Sequence, residues 1–133
     1  MNSITVTGNL GSDPELTYTP NGRAVLRATV FENRSRPAKD GEGWEELEPN
    51  RFRVQVWASL AENVAESCRQ GDRITVDGTI ITDRWADKET GEVRTAQTIR
   101  ADEVSFSLKY HTVQATRSTK AGDQGEDENA AQQ

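Results

Sequence analysis

The sequence contains few of the residues that many enzymes and secreted proteins depend on. Its 133 residues include one cysteine and one histidine. A single cysteine, Cys68, excludes an internal disulfide and is typical of a reducing compartment. Neither Cys68 nor His111 has a partner at the spacing of a zinc site or of a nucleophile with its base. The sequence therefore predicts no enzyme, no metal and no cofactor.

Long apolar runs are also absent. No stretch of about 18 apolar residues occurs, and the first nine residues, MNSITVTGN, lack the basic and apolar segments of a signal peptide. We therefore expect one soluble cytoplasmic domain, with no membrane partner. A domain of this length buries a sufficient core without disulfides.

Positive charge is scarce as well. The formal net charge is -6, of which residues 111–133 contribute -2 and residues 1–110 contribute -4. An acidic balance argues mildly against a nucleic-acid partner, because phosphate binders usually carry a basic field. Local clustering of the basic residues can reverse that argument, so their individual positions decide.

The residues that are present alternate with a period of two, which predicts β-strands. The expected strands cover residues 3–8, 23–32, 51–57, 73–85 and 93–107, the last one interrupted near Ala101 and Asp102. Between the first two strands, GNLGSDPELTYTPNG is rich in glycine and proline and predicts a strand corner followed by a hairpin at Pro20–Gly22. Gly78 is expected where a barrel strand bends.

One helix is predicted after the third strand. Ser59 and Glu62 have the spacing of a capping box, and Gly71 is placed to stop the helix. The apolar stripe of this helix consists of Leu60, Val64 and Cys68. Cys68 is accordingly interpreted as a buried small hydrophobe, and the order of elements is three strands, one helix and two strands.

The strand RFRVQVW carries the clearest candidate site. Phe52, Val54 and Val56 face one way, so the opposite face is basic and aromatic. An exposed tryptophan beside arginines suits base stacking with phosphate contacts. Arg84 and Trp85 repeat the pairing of arginine with tryptophan. An alternative is that Trp57 covers a second small core or a subunit interface.

Residues 33–50 are predicted to form a long connection between strands. Arg34 and Arg36 add positive charge at its start, and Trp44 lies further along it. Five acidic residues stand against them, so the segment is either a binding loop or a solvated, mixed-charge excursion.

The order of segments resembles the bacterial single-stranded DNA-binding proteins over about residues 1–108. The matching stretches are GNLGSDPELTYTPNG with AVLRATV, then RFRVQVWASLAENVAESCRQGDRITVDGTI, then TDRWADKETGEVRT. The resemblance implies an all-β, five-stranded OB-fold barrel with its helix between strands three and four. It also implies homotetramers that bind single-stranded DNA without sequence preference, in replication, recombination, repair or a specialised process.

The resemblance also assigns individual residues. Trp57 and Trp85 match aromatic stacking positions of the family, whereas Arg51 and the segment 34–36 stand where the family commonly has tryptophan. Cys68 stands where relatives carry a large core aliphatic. The predicted DNA-binding residues are Arg34, Arg36, Arg51, Arg53, Trp57, Arg84 and Trp85.

The C-terminal part departs from the family's general members. Residues 1–110 are expected to form the OB domain, with a possible clamp strand through Phe106, Leu108 and Tyr110 that resembles one in some members. Residues 111–133 are expected to be a disordered acidic tail. The chain ends ENAAQQ rather than with an acidic Pro-Phe tip, so we expect no partner recruitment through such a tip and a likeness to shorter, specialised paralogues.

Two other functions remain open. A protein adaptor on the same fold would use the acidic surface, with residual affinity for DNA. An RNA-binding OB module would use the same stacking groups.

Overall fold

The chain folds into a closed β-barrel with one helix packed against it. The structure is a computed structural model that describes residues 1–118. Its elements are β1 (Ile4–Leu10), β2 (Glu15–Tyr18), β3 (Ala24–Pro37), β4 (Trp44–Trp57), α1 (Ala58–Ser67), β5 (Arg73–Ala86) and β6 (Val93–Phe106). The predicted strand corner is the short strand β2, so four strands precede the helix rather than three.

The strands form one sheet that closes on itself. Their order is β1-β5-β6-β4-β3-β2, and an additional pairing of β1 with β3 closes the barrel. The pairing of β4 with β6 is parallel, whereas the others are antiparallel. With β2 set aside, five strands form the barrel and one helix packs against it. This arrangement confirms the predicted OB fold.

The barrel interior is filled by the inward-facing positions that the alternation predicted. The largest fully buried side chains are Leu26, Val30, Val56 and Val76. Ala61 and Val64 of α1 join the same cluster. Cys68 is also a member and is only 3% exposed, which confirms its interpretation as a buried small hydrophobe. Burial raises the pKa of its thiol, and the nearby Asp72 carboxylate adds to the increase.

The predicted long connection over residues 33–50 is wrong. β3 and β4 continue past the barrel as a hairpin. In this hairpin Arg36 lies opposite Glu45, and Pro37 lies opposite Trp44. Because this extension has no core on either side, its charged residues gave no apolar alternation to recognise. Backbone pairing and an Arg36–Glu45 ion pair of 3.0 Å connect its two strands. We call residues 33–50 the first arm.

The predicted capping box is also wrong. Helix α1 begins one residue before Ser59, its N-cap is Trp57 with no side-chain capping bond, and it ends at Ser67. Ala58 has a φ of +60°, so the chain turns sharply from β4 into α1. That backbone turn lies at the start of the helix. Gly71, with a φ of +88°, lies in the turn that follows.

Two predicted irregularities are confirmed. Thr19 and Arg23 close the Pro20–Gly22 hairpin with a 2.8 Å backbone bond. The register between β5 and β6 skips Asp102, since Asp77 lies opposite Glu103 and Gly78 opposite Ala101. A Cβ at Gly78 would collide with the backbone carbonyl of Arg100, so the bulge requires glycine here.

The last described residues contain no regular structure. β6 ends at Phe106, and residues 107–118 add no strand to this single chain, so a clamp strand that pairs with another subunit stays a prediction. Most of the segment 111–133, which is expected to be disordered, consists of residues 119–133, and these lie outside the described residues. Both the disorder and the domain boundary at residue 110 stay predictions. In residues 1–118, no helix has the length and apolar character needed to cross a membrane.

Candidate nucleic-acid interface

The candidate site is the outer face of the β3–β4 pair. Because successive side chains alternate across a strand, Arg53, Gln55 and Trp57, which alternate with the buried Val54 and Val56, point away from the core. The register places Arg27 opposite Gln55, Thr29 opposite Arg53 and Phe31 opposite Arg51. We call this set the barrel face; it consists of Arg23, Arg27, Thr29, Phe31, Arg51, Arg53, Gln55 and Trp57.

Two arginines of the barrel face lie over aromatic rings. The guanidinium carbon of Arg23 is 4.9 Å from the ring centroid of Trp57, and that of Arg51 is 5.4 Å from the centroid of Phe31. The indole nitrogen of Trp57 donates a 3.1 Å hydrogen bond to Oε1 of Gln55. These contacts orient planar groups along the outer surface of the sheet.

The charges of the barrel face are not neutralised by ion pairs. In residues 1–118, the salt bridges are Arg36–Glu45 at 3.0 Å and Arg94–Asp87 at 2.9 Å. Both of them lie on the strand extensions beyond the barrel. Arg23, Arg27, Arg51 and Arg53 are exposed, so their positive charge is available to a ligand. The chain as a whole is acidic, yet this face carries four exposed arginines.

A groove runs beside this face. Its volume is about 610 Å³, which is within the range of ligand-sized pockets, about 300–1,000 Å³. The β3–β4 pair contributes Arg27 and Arg53, the segment around β2 contributes Glu15, and the β5–β6 pair contributes Asp83 and Thr98. The groove is therefore polar and carries both signs of charge.

The predicted residues Arg34 and Arg36 lie apart from the barrel face, on the first arm. Arg36 is paired with Glu45, and Nη1 of Arg34 donates a long, 3.5 Å hydrogen bond to the carbonyl of Glu48. Trp44 on the same arm is 72% exposed. The structure thus separates these residues from Arg51, Arg53 and Trp57.

Arg84 and Trp85 lie on a second arm, formed by the ends of β5 and β6 over residues 83–97. Trp85 is 44% exposed and lies opposite Arg94. Alternation along β5 places Trp85 on the same strand face as Asp83, and Asp83 lines the groove. Arg84 lies on the opposite face of the strand.

The turn of the second arm is organised by Asp87. Its carboxylate accepts hydrogen bonds from the backbone N–H groups of Glu89 and Thr90 and from Nε of Arg94. These hydrogen bonds lower the pKa of Asp87, and the bond from the Glu89 backbone has the largest effect. The arm therefore has a defined turn that fixes where Trp85 is presented.

Sequence reasoning missed several residues of this surface. Arg27 and Phe31 were on the outward-facing side of the predicted second strand, so the alternation contained a signal that was not used. Arg23 precedes β3, and only the fold shows that its guanidinium lies over Trp57. Glu15 and Asp83 come from distant strands, and their meeting in one groove required the tertiary structure.

The structure brings no catalytic or metal-binding set together among the residues that it describes. In residues 1–118, no three His, Cys, Asp or Glu side chains form a group that could hold a metal ion. His111 packs edge-on against Phe106, with ring centroids 5.6 Å apart. That the protein is not an enzyme stays a prediction.

The topology and the barrel face together define an OB-fold protein with an open, arginine-rich aromatic surface. The profile of the Single-strand binding protein family matches residues 1–107. The chain belongs to this family.

Curated relatives agree over most of the chain. A single-stranded DNA-binding protein of Paenarthrobacter aurescens is 38% identical over 123 residues, which cover 92% of this chain and 71% of that protein. One of Mycobacterium tuberculosis is 38% identical over 121 residues, covering 90% and 73%. Single-stranded DNA-binding protein 2 of Streptomyces coelicolor is 37% identical over 119 residues, covering 90% and 59%.

Proposed function

We propose that this protein binds and coats single-stranded DNA without strong sequence dependence, through base stacking and phosphate contacts. The observation that carries the proposal is the barrel face, where four arginines form no ion pair in residues 1–118 and two of them lie over the rings of Phe31 and Trp57. Membership of the single-strand binding protein family and the names of the relatives support it.

The chemistry of the face suits a flexible polyanion with exposed bases. Every base has a π-face, so stacking on Trp57 or Phe31 is tolerant of sequence. Guanidinium groups pair with phosphate and also stack on planar rings. Trp85 on the second arm extends the stacking surface, and Arg34, Arg36 and Arg84 are additional phosphate contacts in this proposal.

The protein acts as a homotetramer in this proposal. In the described chain, the residues of β1 from Ile4 to Gly8 pair with β5 along one edge only, because the pairing with β3 is confined to Asn9 and Leu10. An unpaired strand edge is a ready surface for a second copy. The exposed side chains of Leu108 and Tyr110 offer a further surface for contacts between subunits.

The proposal is tested by titrating the purified protein with unstructured oligothymidine at several salt concentrations, following tryptophan fluorescence and mass together. We expect quenching of the fluorescence, the mass of a tetramer with bound DNA, and an affinity that falls with salt. Absence of binding at low salt would overturn the proposal.

A second candidate is a protein adaptor, favoured by the negative charge of the first arm. Asp40, Glu42, Glu45, Glu46 and Glu48 outnumber its three basic residues. An adaptor predicts weak DNA binding with little dependence on salt. The same titration therefore distinguishes the two, and competition between DNA and RNA oligomers of one sequence tests the RNA-binding alternative.

A further inference from the structure

We propose that Phe31 is a positioning residue that holds the guanidinium of Arg51 as a stacking surface for a base of single-stranded DNA. The inference rests on the proposed function and deepens it, because it gives Arg51 a role beyond the attraction of phosphate. It also narrows the part that Phe31 takes in stacking, since the ring acts through Arg51 and not by contact with the base.

The first step is that the barrel core does not account for Phe31. In residues 1–118, the Phe31 side chain is half-buried, yet it belongs neither to the core cluster nor to the partly buried hydrophobic residues packed against that cluster. Its neighbour Val30 points inward and is fully buried. Alternation therefore places the Phe31 ring on the outer surface of the sheet, where its contacts decide what it does.

The second step concerns how the ring is held. A Cβ at Gly11 would collide with Cε2 and Cδ2 of the Phe31 ring, so the chain leaves space for the ring by having glycine there. The N–H of Gly11 donates a 3.0 Å hydrogen bond to the carbonyl of Thr29, and Asn9 pairs with Phe31 in the sheet. The segment after β1 is thus fixed beside β3, and the ring has a defined place.

The third step concerns the group that lies over the ring. Arg51 lies opposite Phe31 across the β3–β4 pair, and its guanidinium carbon is 5.4 Å from the ring centroid. This distance is within the range of a cation–π contact, about 6 Å. Arg51 is exposed and forms no ion pair with any residue of the part that the structure describes. The side of the guanidinium away from Phe31 is therefore open to a ligand.

The fourth step concerns what a supported guanidinium does. The group is planar and weakly hydrated, so it stacks on flat rings and keeps N–H donors at its edge for phosphate. Contact with Phe31 restricts the rotamers of Arg51 before DNA binds, which lowers the entropic cost of ordering it in the complex. A base of any identity has a π-face that fits such a surface. Arg51 thereby combines stacking with phosphate contact.

Arg53 provides a comparison within the same strand. It lies two residues beyond Arg51 on the same face and is exposed as well. It is opposite Thr29 rather than an aromatic residue, and among residues 1–118 the cation–π contacts involve Arg23, Arg51 and Lys109. Arg53 therefore has the charge of Arg51 without the supporting ring.

The test replaces arginine by lysine, which keeps the positive charge and removes the planar group. The variants are Arg51→Lys, Arg53→Lys as the matched control, Phe31→Leu, and Phe31→Leu combined with Arg51→Lys. Each protein is titrated with oligothymidine of one length at several salt concentrations. The titration gives the dissociation constant and the slope of log K against log salt, and thermal unfolding and mass are measured in parallel.

We expect Arg51→Lys to weaken binding by about two- to fivefold more than Arg53→Lys, the value of one exposed cation–π stack. The slope should be the same in these two variants, because each keeps its charge. Phe31→Leu should weaken binding by a similar factor. Adding it to Arg51→Lys should cause little further loss, because residues that act through one contact are not additive.

Two results would overturn the inference. Equal losses for Arg51→Lys and Arg53→Lys would show that Arg51 acts only as a charge. A loss on Phe31→Leu that is the same with Arg51 and with lysine at position 51 would show that the ring contacts DNA independently. Because Arg51 and Arg53 are exposed, the first comparison decides even if Phe31→Leu unfolds the protein.

The proposed function fails in a different way. If the unchanged protein does not bind oligothymidine at low salt, coating of single-stranded DNA itself is wrong. If it binds, and the two lysine variants bind equally well, the proposed function stands and only the role of Phe31 and Arg51 in stacking is wrong.

Discussion

Arg23 places its guanidinium carbon 4.9 Å from the ring centroid of Trp57, although 34 positions separate the two residues in the chain. The hairpin before β3 and the end of β4 bring them together. An exposed cation–π contact of this kind is worth about 0.5–1 kcal/mol. It orients the indole before DNA arrives, and it is weak enough for a base to replace the guanidinium.

Replacing Trp57 by alanine should therefore weaken binding of oligothymidine by about 1–3 kcal/mol, the value of one stacked base. Trp57→Phe keeps a ring and should retain most of the affinity. The measurement is equilibrium titration at one salt concentration, with the mass of each variant determined in parallel. Unchanged affinity of a Trp57→Ala protein that keeps the wild-type mass would show that Trp57 does not stack on DNA.

Trp85 should contribute in the same way from the second arm. We expect Trp85→Ala to weaken binding by about 1–3 kcal/mol. Trp44→Ala is the matched comparison, because Trp44 lies on the first arm among acidic residues and is 72% exposed; a smaller loss is expected there. Equal losses for the two variants would mean that both arms reach DNA, and no loss for Trp85→Ala would remove this residue from the interface.

The salt dependence of binding should report the arginines of the barrel face. Each phosphate contact contributes about -0.7 to the slope of log K against log salt. We therefore expect Arg51→Gln and Arg53→Gln each to make the slope less steep by about 0.7. Arg117→Gln is the control, because Arg117 lines a separate pocket beside helix α1. A slope that is the same in all four proteins would contradict direct phosphate contact by Arg51 and Arg53.

The parts of the fold that the sequence predicted are those with an apolar face. Phe52, Val54 and Val56 alternate with polar residues because one side of β4 packs on the core, and this signal survives without any tertiary information. The first arm carries no such signal, since both of its faces are solvated. The start of α1 was mispredicted by one residue, because the chain enters the helix through a backbone turn at Ala58 that no sequence pattern signals.

The site was predictable only where its residues share one strand with the core pattern. Arg51, Arg53 and Trp57 followed directly from the alternation in β4. Residues on other strands join them through barrel closure, which no local pattern describes. Glu15 and Asp83 were ordinary charged residues until the fold placed them in one groove.

The buried thiol should make stability depend on alkaline pH. Burial raises the pKa of Cys68 in the folded protein above its unfolded value, so the unfolded chain releases the proton first as pH rises. The stabilising contribution of Cys68 is therefore complete below about pH 8.5, near the unfolded pKa. It is lost progressively as pH rises from there through the folded pKa.

Urea unfolding at about pH 7.5 and about pH 9.5, on either side of the ordinary thiol pKa, tests this. We expect the free energy of unfolding to fall more between these two values in the unchanged protein than in Cys68→Val, whose side chain does not titrate. The comparison between the two proteins cancels the effects of other groups. An identical pH dependence would contradict burial of the thiol.

Ala58 should be a position where glycine stabilises the protein. Its φ of +60° is the one positive value among the non-glycine residues of the part that the structure describes. A left-handed conformation costs an alanine about 1–2 kcal/mol because its Cβ approaches the carbonyl oxygen. Glycine avoids this cost but loses more backbone entropy on folding, by about 0.5–1 kcal/mol.

We therefore expect Ala58→Gly to raise the free energy of unfolding by about 0.5–1 kcal/mol, the difference between these two terms. Ala65→Gly is the control, because Ala65 has ordinary helical geometry in α1 and should lose about 1 kcal/mol. Urea unfolding at neutral pH measures both. Since glycine adopts the same turn, Trp57 keeps its place and the affinity for oligothymidine should not change. Destabilisation of both variants by the same amount would show that Ala58 is not strained in the folded protein.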